Sequence, residues 1–254
     1  MNNKFIEIRK IILIFLIIKK VENWVDYFLD LFKIIRNNNI VYKTRDGLKY
    51  YSRTNTADRG IINAIILEDE YKVLDLKLKN LNTVIDIGGQ NGYFSIYVSK
   101  NVKNIFIYEP VFENYQNILK NIKINNLEHK IIPFNLAVSN KKEKIKIYLS
   151  DDNSGGHSEF IQGDKLIQAN SITMQEIFNN NKIEKCDLLK IDIEGGEYNI
   201  LYNLDDKYFK KIENIRLECH NINKEGYDLK SLIKFLKTKN YKVDFKKNIV
   251  FANK

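Results

Sequence analysis

The sequence predicts an α/β fold: a mainly parallel sheet with a C-terminal antiparallel hairpin, preceded by an N-terminal helical extension. Three observations predict it. From Val84 to Lys239, short apolar runs alternate with stretches at helical spacing, and such alternation gives parallel strands covered on both faces. Two of the runs, Val84–Ile87 and Leu188–Ile193, lead through an acid into glycines that open a helix. This strand–turn–helix junction is where ligands meet bare backbone. The last two runs, Tyr241–Phe245 and Ile249–Ala252, turn at Lys247-Asn248, so a late strand runs antiparallel.

A chain of 254 residues fits one such domain plus an extension, divided here as residues 1–40 and 41–254. Hydrophobic residues make up 44% and aromatics 12%, enough to fill a core on both sides of a sheet. The net charge of +9 counts for less than its size. Lysines are spread along the whole chain beside an excess of Asn and Ile, a bias of A/T-rich codon usage that leaves a solvated surface. Neither a basic–aromatic RNA motif nor zinc-ligand spacing is present, so no nucleic-acid partner is expected. Cys186 and Cys219 fall in or beside expected core strands and read as buried free thiols, bridged only if the two strands align. The count suits a reducing cytoplasm.

The elements follow in order. Ile11–Ile18 is an unbroken apolar run flanked by Lys4, Arg9 and Lys10 before it and Lys19 and Lys20 after it. It is too short to span a membrane, which takes about 20 apolar residues, and no small-residue cleavage site marks it as a signal peptide. Helical spacing continues through Trp24, Phe28, Leu31, Phe32 and Ile35. Two readings stand: a helix packed on its own domain or on a second subunit, or peripheral attachment of residues 1–36 to an anionic membrane face. The expected location is cytoplasmic, with that membrane contact left open. Asn37–Asn39 ends the helices. Val41–Arg53 reads as a hairpin turning at Asp46-Gly47, and Asp58–Leu67 as a helix with Asp58 in its first turn. Strand Val84–Ile87, helix Tyr93–Lys100, strand Ile105–Tyr108, helix Phe112–Ile124 and strand Ile131–Val138 come next. Lys144–Leu149 alternates Lys with apolar residues, a half-exposed edge strand. Ser150–Lys165, polar and glycine-bearing, is a loop long enough for a lid. Helix Met174–Asn180, strand Leu188–Ile193, helix Tyr198–Leu204, strand Ile215–Glu218, helix Asp228–Lys239 and the hairpin complete the chain.

The first turn reads Asp86-Ile-Gly-Gly-Gln-Asn-Gly92. Its glycines do not make the G-x-G-x-x-G spacing of a dinucleotide site, and no triphosphate loop occurs. The remaining Asp-x-Gly-x-x-x-Gly offers backbone that a ligand can approach where Cβ is missing. Asp86 either holds the turn or accepts from an ammonium group, and both roles suit a methionine moiety better than a pyrophosphate. The next strand ends in Tyr108-Glu-Pro110. A carboxylate at that tip accepts both hydroxyls of a ribose, and Pro110 stops the strand. Glu109 alone specifies a nucleoside without saying which.

With these motifs the chain resembles the FkbM family of S-adenosylmethionine-dependent methyltransferases, over approximately Asp58 to Asn221. The resemblance rests on Asp86-Ile-Gly-Gly-Gln-Asn-Gly-Tyr-Phe-Ser95, on Tyr108-Glu-Pro110 followed by Asn114 and Leu119, on Ala137-Val-Ser139, on Ser154-Gly-Gly-His157, on Ile172-Thr-Met174, on Leu189-Lys-Ile-Asp-Ile-Glu-Gly-Gly-Glu197 and on Arg216-Leu-Glu-Cys-His220. Lys190-Ile-Asp-Ile-Glu-Gly195 is the most specific of these. The family implies a seven-stranded, Rossmann-like class I methyltransferase fold and S-adenosylmethionine as cofactor. It implies Asp86, Gly88 and Gly92 along the methionine end, with Gly89 and Asn91 in the same turn, and Glu109 on the ribose. The family usually has Ala where Gly89 and Gly196 stand, a change that should threaten neither turn.

Lys190, Asp192 and Glu194 share one strand parity, as do Glu218 and His220 on the expected neighbour, so they should converge near the transferred methyl. Methyl transfer to a hydroxyl requires an aligned acceptor and removal of its proton. His220 is the first candidate base, because an imidazole titrates near neutral pH. Asp192, also placed by the cofactor, would orient it or the acceptor. Glu194 and Lys190 would stabilise the site or bind sugar hydroxyls, and His157 in the loop is an alternate base or substrate contact. Glu197 reads as a first-turn helix acid. Asp192, Glu218 and His220 would suit a divalent Mg, Mn or Fe ion chemically, but their spacing is no recognised metal signature, so no metal is assigned. The expected activity is O-methylation of a small molecule, and the family's habit implies a sugar or glycan precursor. The rivals are an NAD-dependent oxidoreductase and a non-catalytic methyltransferase fold that docks at a membrane or in a glycan-assembly complex.

Overall fold

The computed structural model describes residues 3–76, 81–149 and 165–254. The apolar N-terminal stretch is helical but broken in two, α1 (Asn3–Lys20) and α2 (Trp24–Leu31). At the break Val21 bridges antiparallel to Thr44, and the Glu22 N–H donates to the Lys43 carbonyl. The break is thereby tied to the hairpin of β1 (Asn39–Lys43) and β2 (Lys49–Arg53). α3 (Asp58–Ile66) follows, and then β3 (Leu81–Ile87), α4 (Tyr93–Val98), β4 (Val102–Tyr108), α5 (Phe112–Ile124) and β5 (Ile131–Phe134). After β6 (Ala137–Val138), β7 (Lys144–Leu149) and β8 (Lys165–Ile172) come α6 (Met174–Asn180), β9 (Cys186–Ile191), α7 (Glu197–Tyr202) and α8 (Asp206–Phe209). β10 (Ile212–Glu218), α9 (Leu229–Thr238), β11 (Lys242–Lys246) and β12 (Ile249–Asn253) close the chain.

Seven strands form the central sheet in the order β5-β4-β3-β9-β10-β12-β11. All pairs from β5 to β10 are parallel, and β12 runs antiparallel to both its neighbours. Strands buried on both faces need continuous apolar runs, and β9 is buried at every position. Adjacent residues go to opposite sides, as strand geometry demands: Val84 and Leu188 join one core, Ile85 and Leu189 the other. Ile17, Val21 and Tyr27 pack into the first of these cores with Tyr42 and Tyr50, so the N-terminal helices bury an inner face on their own domain. Each of the aliphatic side chains so buried contributes about 1.5–3 kcal/mol. The chain order reverses between β3 and β9, and that switch point places the ligand crevice at their carboxyl ends.

Two expectations need correction, and one strand had gone unread. The strand expected over Ile131–Val138 is split, because Asn135 Nδ2 donates to the Glu109 and Pro110 carbonyls (2.9 and 3.0 Å) and turns the chain out of the sheet. Lys144–Leu149 is an edge strand, but of a separate three-stranded sheet ordered β6-β8-β7. Its partner β8 went unread because Leu166, Ile167 and Ala169 among polar neighbours keep no period of two; pairing with β7, Ile145 against Ala169 and Ile147 against Ile167, supplies the order. Apart from Lys165, the expected lid loop lies outside the described residues, and His157 with it. Cys186 and Cys219 are buried and unbridged.

Candidate active site

A cavity of about 290 Å³ lies where the topology requires, lined by Gly88 after β3, Glu109 after β4, Asp192 after β9 and Glu218 at the end of β10. The first turn is packed against neighbouring chain. Gly88 has φ +72°, and a Cβ there would sit 1.8 Å from the Asp192 carbonyl oxygen; a Cβ on Gly89 would sit 2.3 Å from Ile107 Cγ1. The N–H groups of both glycines donate to the Tyr108 carbonyl (3.0 and 3.1 Å). These glycines therefore make room for the tips of β9 and β4, and both also line the cavity. Asp86 is fully buried behind the wall: Oδ2 accepts from the Ser95 hydroxyl at 2.7 Å, and Oδ1 lies 3.4 Å from Lys190 Nζ. These contacts brace the turn from behind. Asn91 donates to Asp58 (3.0 Å) and accepts from Asn117 (3.1 Å) inside the protein, and Gly92 caps α4 at φ +82°. Gly88, Gly89 and Gln90 line the cavity; Asp86, Asn91 and Gly92 stand behind them.

Glu109 is 5% exposed, with Oε2 accepting the Gln90 N–H and Oε1 the Val111 N–H, both at 2.8 Å. Burial disfavours its charge and outweighs these donors, so its pKa is pushed up to about 7. A carboxylate so placed gains from donors it does not yet have, and Gln90 Nε2 is buried beside it with no partner among the described residues. Tyr108, stacked on Phe134 (4.8 Å, 6°), lines the cavity as well, and these residues fit a nucleoside with vicinal hydroxyls.

The second turn carries the charge. Lys190, fully enclosed, donates to the Gly88 carbonyl at 2.8 Å and reaches Asp86 (3.4 Å) and Asp192 (3.6 Å). Burial works against its charge, but the two aspartates override it and its pKa is raised. β9 ends at Ile191, so Asp192 and Glu194 are set by the turn and not by pleat parity; Glu194 sits in the left-handed region at φ +51°. A non-glycine residue held there marks local strain of a kind that clusters at functional sites. Tyr71 donates to Asp192 Oδ2 at 3.0 Å, and Arg216 holds the Tyr71 carbonyl at 2.9 Å.

His220 lies just past β10, off the cavity wall. Nε2 is 3.2 Å from Glu194 and 3.8 Å from Glu218; Nδ1 is 3.3 Å from Glu197. Burial lowers its pKa, but Glu197 and then Glu194 and Asp192 raise it further, to about 9. Glu194 is pushed up to about 7, by burial first and by Asp192, Glu218 and Glu197, with His220 pulling the other way. Burial and the neighbouring acids also raise Glu70 and Glu218. Glu197 does more than face a helix dipole: fully buried, it accepts the Gly195 N–H (2.8 Å) and the His220 N–H (2.6 Å). Ligand atoms of Asp192, Glu218 and His220 fall within 4.8 Å of one another, close enough to share a divalent ion. In the structure Lys190 and His220 answer that negative charge. Sequence reading missed Tyr71, Glu70 and Gln90 on this wall. None carries a local signal except Gln90, whose place inside the glycine turn could have flagged it.

Counting only the central sheet's own strands in chain order, its order is 3-2-1-4-5-7-6, and such a sheet with two ligand turns meeting at the switch point defines a class I methyltransferase fold. More particularly, the chain belongs to the FkbM methyltransferases: the family's profile, described as the methyltransferase FkbM domain, matches residues 86–243. It is similar to methyltransferase sdnD of Sordaria araneosa, 22% identical over 209 residues covering 68% of this chain and 79% of that protein. It is also similar to Methyltransferase 1 of Beauveria bassiana (strain ARSEF 2860), 21% identical over 160 residues, 53% of this chain and 63% of the other. A solved structure, methyltransferase FkbM from Methylobacillus flagellatus KT, matches with TM-score 0.47 and 13% identity over 69% of this chain and 45% of that one. The chain thus spans less than half the length of that structure.

Proposed function

We propose that the protein is an S-adenosylmethionine-dependent methyltransferase that methylates a hydroxyl of a small saccharide-like molecule. One observation carries the reading: a single cavity at the switch point joins the buried carboxylate Glu109 to the acid cluster of Glu70, Asp192, Glu194 and Glu218. When bound, S-adenosylmethionine supplies an electrophilic methyl on a sulfonium centre. Glu109 and Gln90 would hold the nucleoside hydroxyls. Lys190 fixes Asp192, which would face the sulfonium end, and Tyr71 braces it. Glu194 takes the acceptor's proton. That role passes to Glu194 from His220, because Glu194 lines the cavity and its pKa near 7 leaves it able to accept a proton at neutral pH. His220, a cation below about pH 9, keeps the Glu194 carboxylate in place. The acid-rich wall supports a polyhydroxy acceptor, since carboxylates accept from hydroxyls, and saccharides are the acceptors that family membership favours.

Calorimetric titration with S-adenosylmethionine and with NAD tests the donor. S-adenosylmethionine alone should bind, weakened in Glu109→Ala by about 1.5–3 kcal/mol, the range for hydrogen bonds to a charged group. Binding of NAD, or unchanged affinity in the variant, would overturn the donor assignment. Labelled methyl should then pass to hydroxyl-bearing saccharides; transfer only to amines would overturn the acceptor class.

A further inference from the structure

A second cavity, about 610 Å³, lies between the end of α1, the β1–β2 turn, the end of α3 and the α4–β4 junction. It shares no lining residue with the candidate active site. Lys19, Lys20, Arg45 and Lys100 line it against a single carboxylate, Asp46. Lys100 pairs with Asp46 at 3.0 Å, and among the described residues no salt bridge engages the other three cations. Tyr50, fully buried, also lines the cavity, and its hydroxyl has no hydrogen-bond partner among the described residues. Burying a hydroxyl without a partner is costly, and a bound anion would remove that cost. Val73 and Tyr97 give the remaining wall an apolar character.

The cavity adjoins an unusual surface. α1 turns Ile17 inward, yet Ile12, Ile14, Phe15 and Ile18 face solvent, so the helix is apolar all round. Trp24, Val25, Leu31, Phe32 and Ile34 are exposed as well, Phe32 at 68%. Ile18 and Lys19 are consecutive, one in the apolar face and the other in the cavity wall. No described helix is long and apolar enough to cross a membrane. Residues 1–36 carry seven Lys and Arg against four Asp and Glu, a balance that an anionic surface complements and a second copy would repel.

We propose that this is an anionic-lipid docking site. The outer face of α1 and α2 lies in the headgroup–acyl boundary of a bilayer. The cavity takes the acidic headgroup of one phospholipid, whose phosphate accepts from the Tyr50 hydroxyl and is neutralised by Lys19, Lys20 and Arg45. Sedimentation of the full chain with vesicles tests this, using phosphatidylcholine alone or mixed with phosphatidylglycerol. Binding should appear only on the mixed vesicles. Phe15→Ser should abolish it, Lys19→Gln should weaken it about fivefold, and Tyr50→Phe about tenfold or more, as for a lost hydrogen bond to a charged group. Tyr50→Phe removes only an oxygen that has no partner among the described residues, so without vesicles its melting temperature should equal or exceed that of wild type and its S-adenosylmethionine affinity should match. If Tyr50→Phe and Lys19→Gln bind like wild type, the headgroup cavity is refuted. Equal binding to neutral vesicles, no sedimentation at all, a concentration-dependent dimer that buries Phe15, or capture of free glycerol phosphate without vesicles would each overturn the lipid assignment.

Discussion

Glu194 and His220 face each other at 3.2 Å, and each sets the other's proton affinity. With Glu194 as base, turnover should rise with pH through about 7 as its carboxyl ionises, then fall above about 9 as His220 loses its proton. Glu194→Gln should lower turnover by about 10²–10⁴ while donor affinity holds. His220→Gln removes the cation that pulls Glu194 down, so the rising limb should move to higher pH. A limb that stays in place or moves down would separate the two residues. A second residue-scale test concerns Gly89, whose missing Cβ leaves space for Ile107. Gly89→Ala should cost about 1–3 kcal/mol through overpacking. In an Ile107→Ala background, which deletes both crowding carbons, the same change should cost little. Equal cost in both backgrounds, measured by denaturant midpoints, would disprove the coupling.

Among the elements, α5 joins the N-terminal hairpin to the first ligand turn through one buried side chain. Asn121 Oδ1 accepts the Tyr51 N–H at 2.7 Å, and its Nδ2 donates to the Asn91 carbonyl at 2.9 Å and the Tyr51 carbonyl at 3.3 Å. Asn121→Leu would leave a buried N–H and a buried carbonyl without partners, a loss of about 2–4 kcal/mol. A loss below about 1 kcal/mol, read from the urea midpoint at unchanged slope, would show that water or a moved backbone replaces these bonds. The elements differ in how far sequence alone revealed them. β3, β4 and β9 were legible because burial on both faces demands apolar runs, and β10, interrupted by Glu213, Asn214 and Arg216, was legible only at its Ile215–Glu218 end from its place in the strand–helix alternation. β8 was not, since its order comes from pairing with β7 along a sequence with no period of its own. Nor was the split of β5 from β6, which depends on Asn135 reaching back to Glu109.

At the scale of the whole molecule, the site was legible where one strand tip carries it and hidden where distant chain supplies it. Glu109 stands at a strand end before Pro110 and Asp192 at one that leads into glycines, but Tyr71 reaches Asp192 across 121 residues of sequence. Parity predicted Glu194 and His220 near each other, but both lie past the ends of their strands and the turns bring them together, and nothing in the pattern revealed that Glu197 would lock the imidazole as a cation. That concentration of buried charge sets how stability varies with pH. Glu109 and Glu194 have folded pKa values near 7 against an ordinary 4.5, and His220 near 9 against 6.5. Every one of these shifts is upward, so the folded state holds more protons than the unfolded state across about pH 5 to 9, and stability falls as pH rises through that window. Carboxyls shifted downward, such as Asp46 and Glu176, contribute stability that disappears only as pH falls below their ordinary range. The melting temperature should therefore peak near pH 5 and decline towards pH 9, as followed by scanning calorimetry. Glu109→Gln removes the cost of ionising a buried carboxyl, on the order of 3 kcal/mol for such a shift. The variant should consequently melt higher than wild type at pH 9 even though it binds the donor poorly. A wild-type melting temperature that climbs from pH 5 to 9 would mean that the acids around the cavity are stabilised as anions, and that the cluster is paired more completely than its geometry indicates.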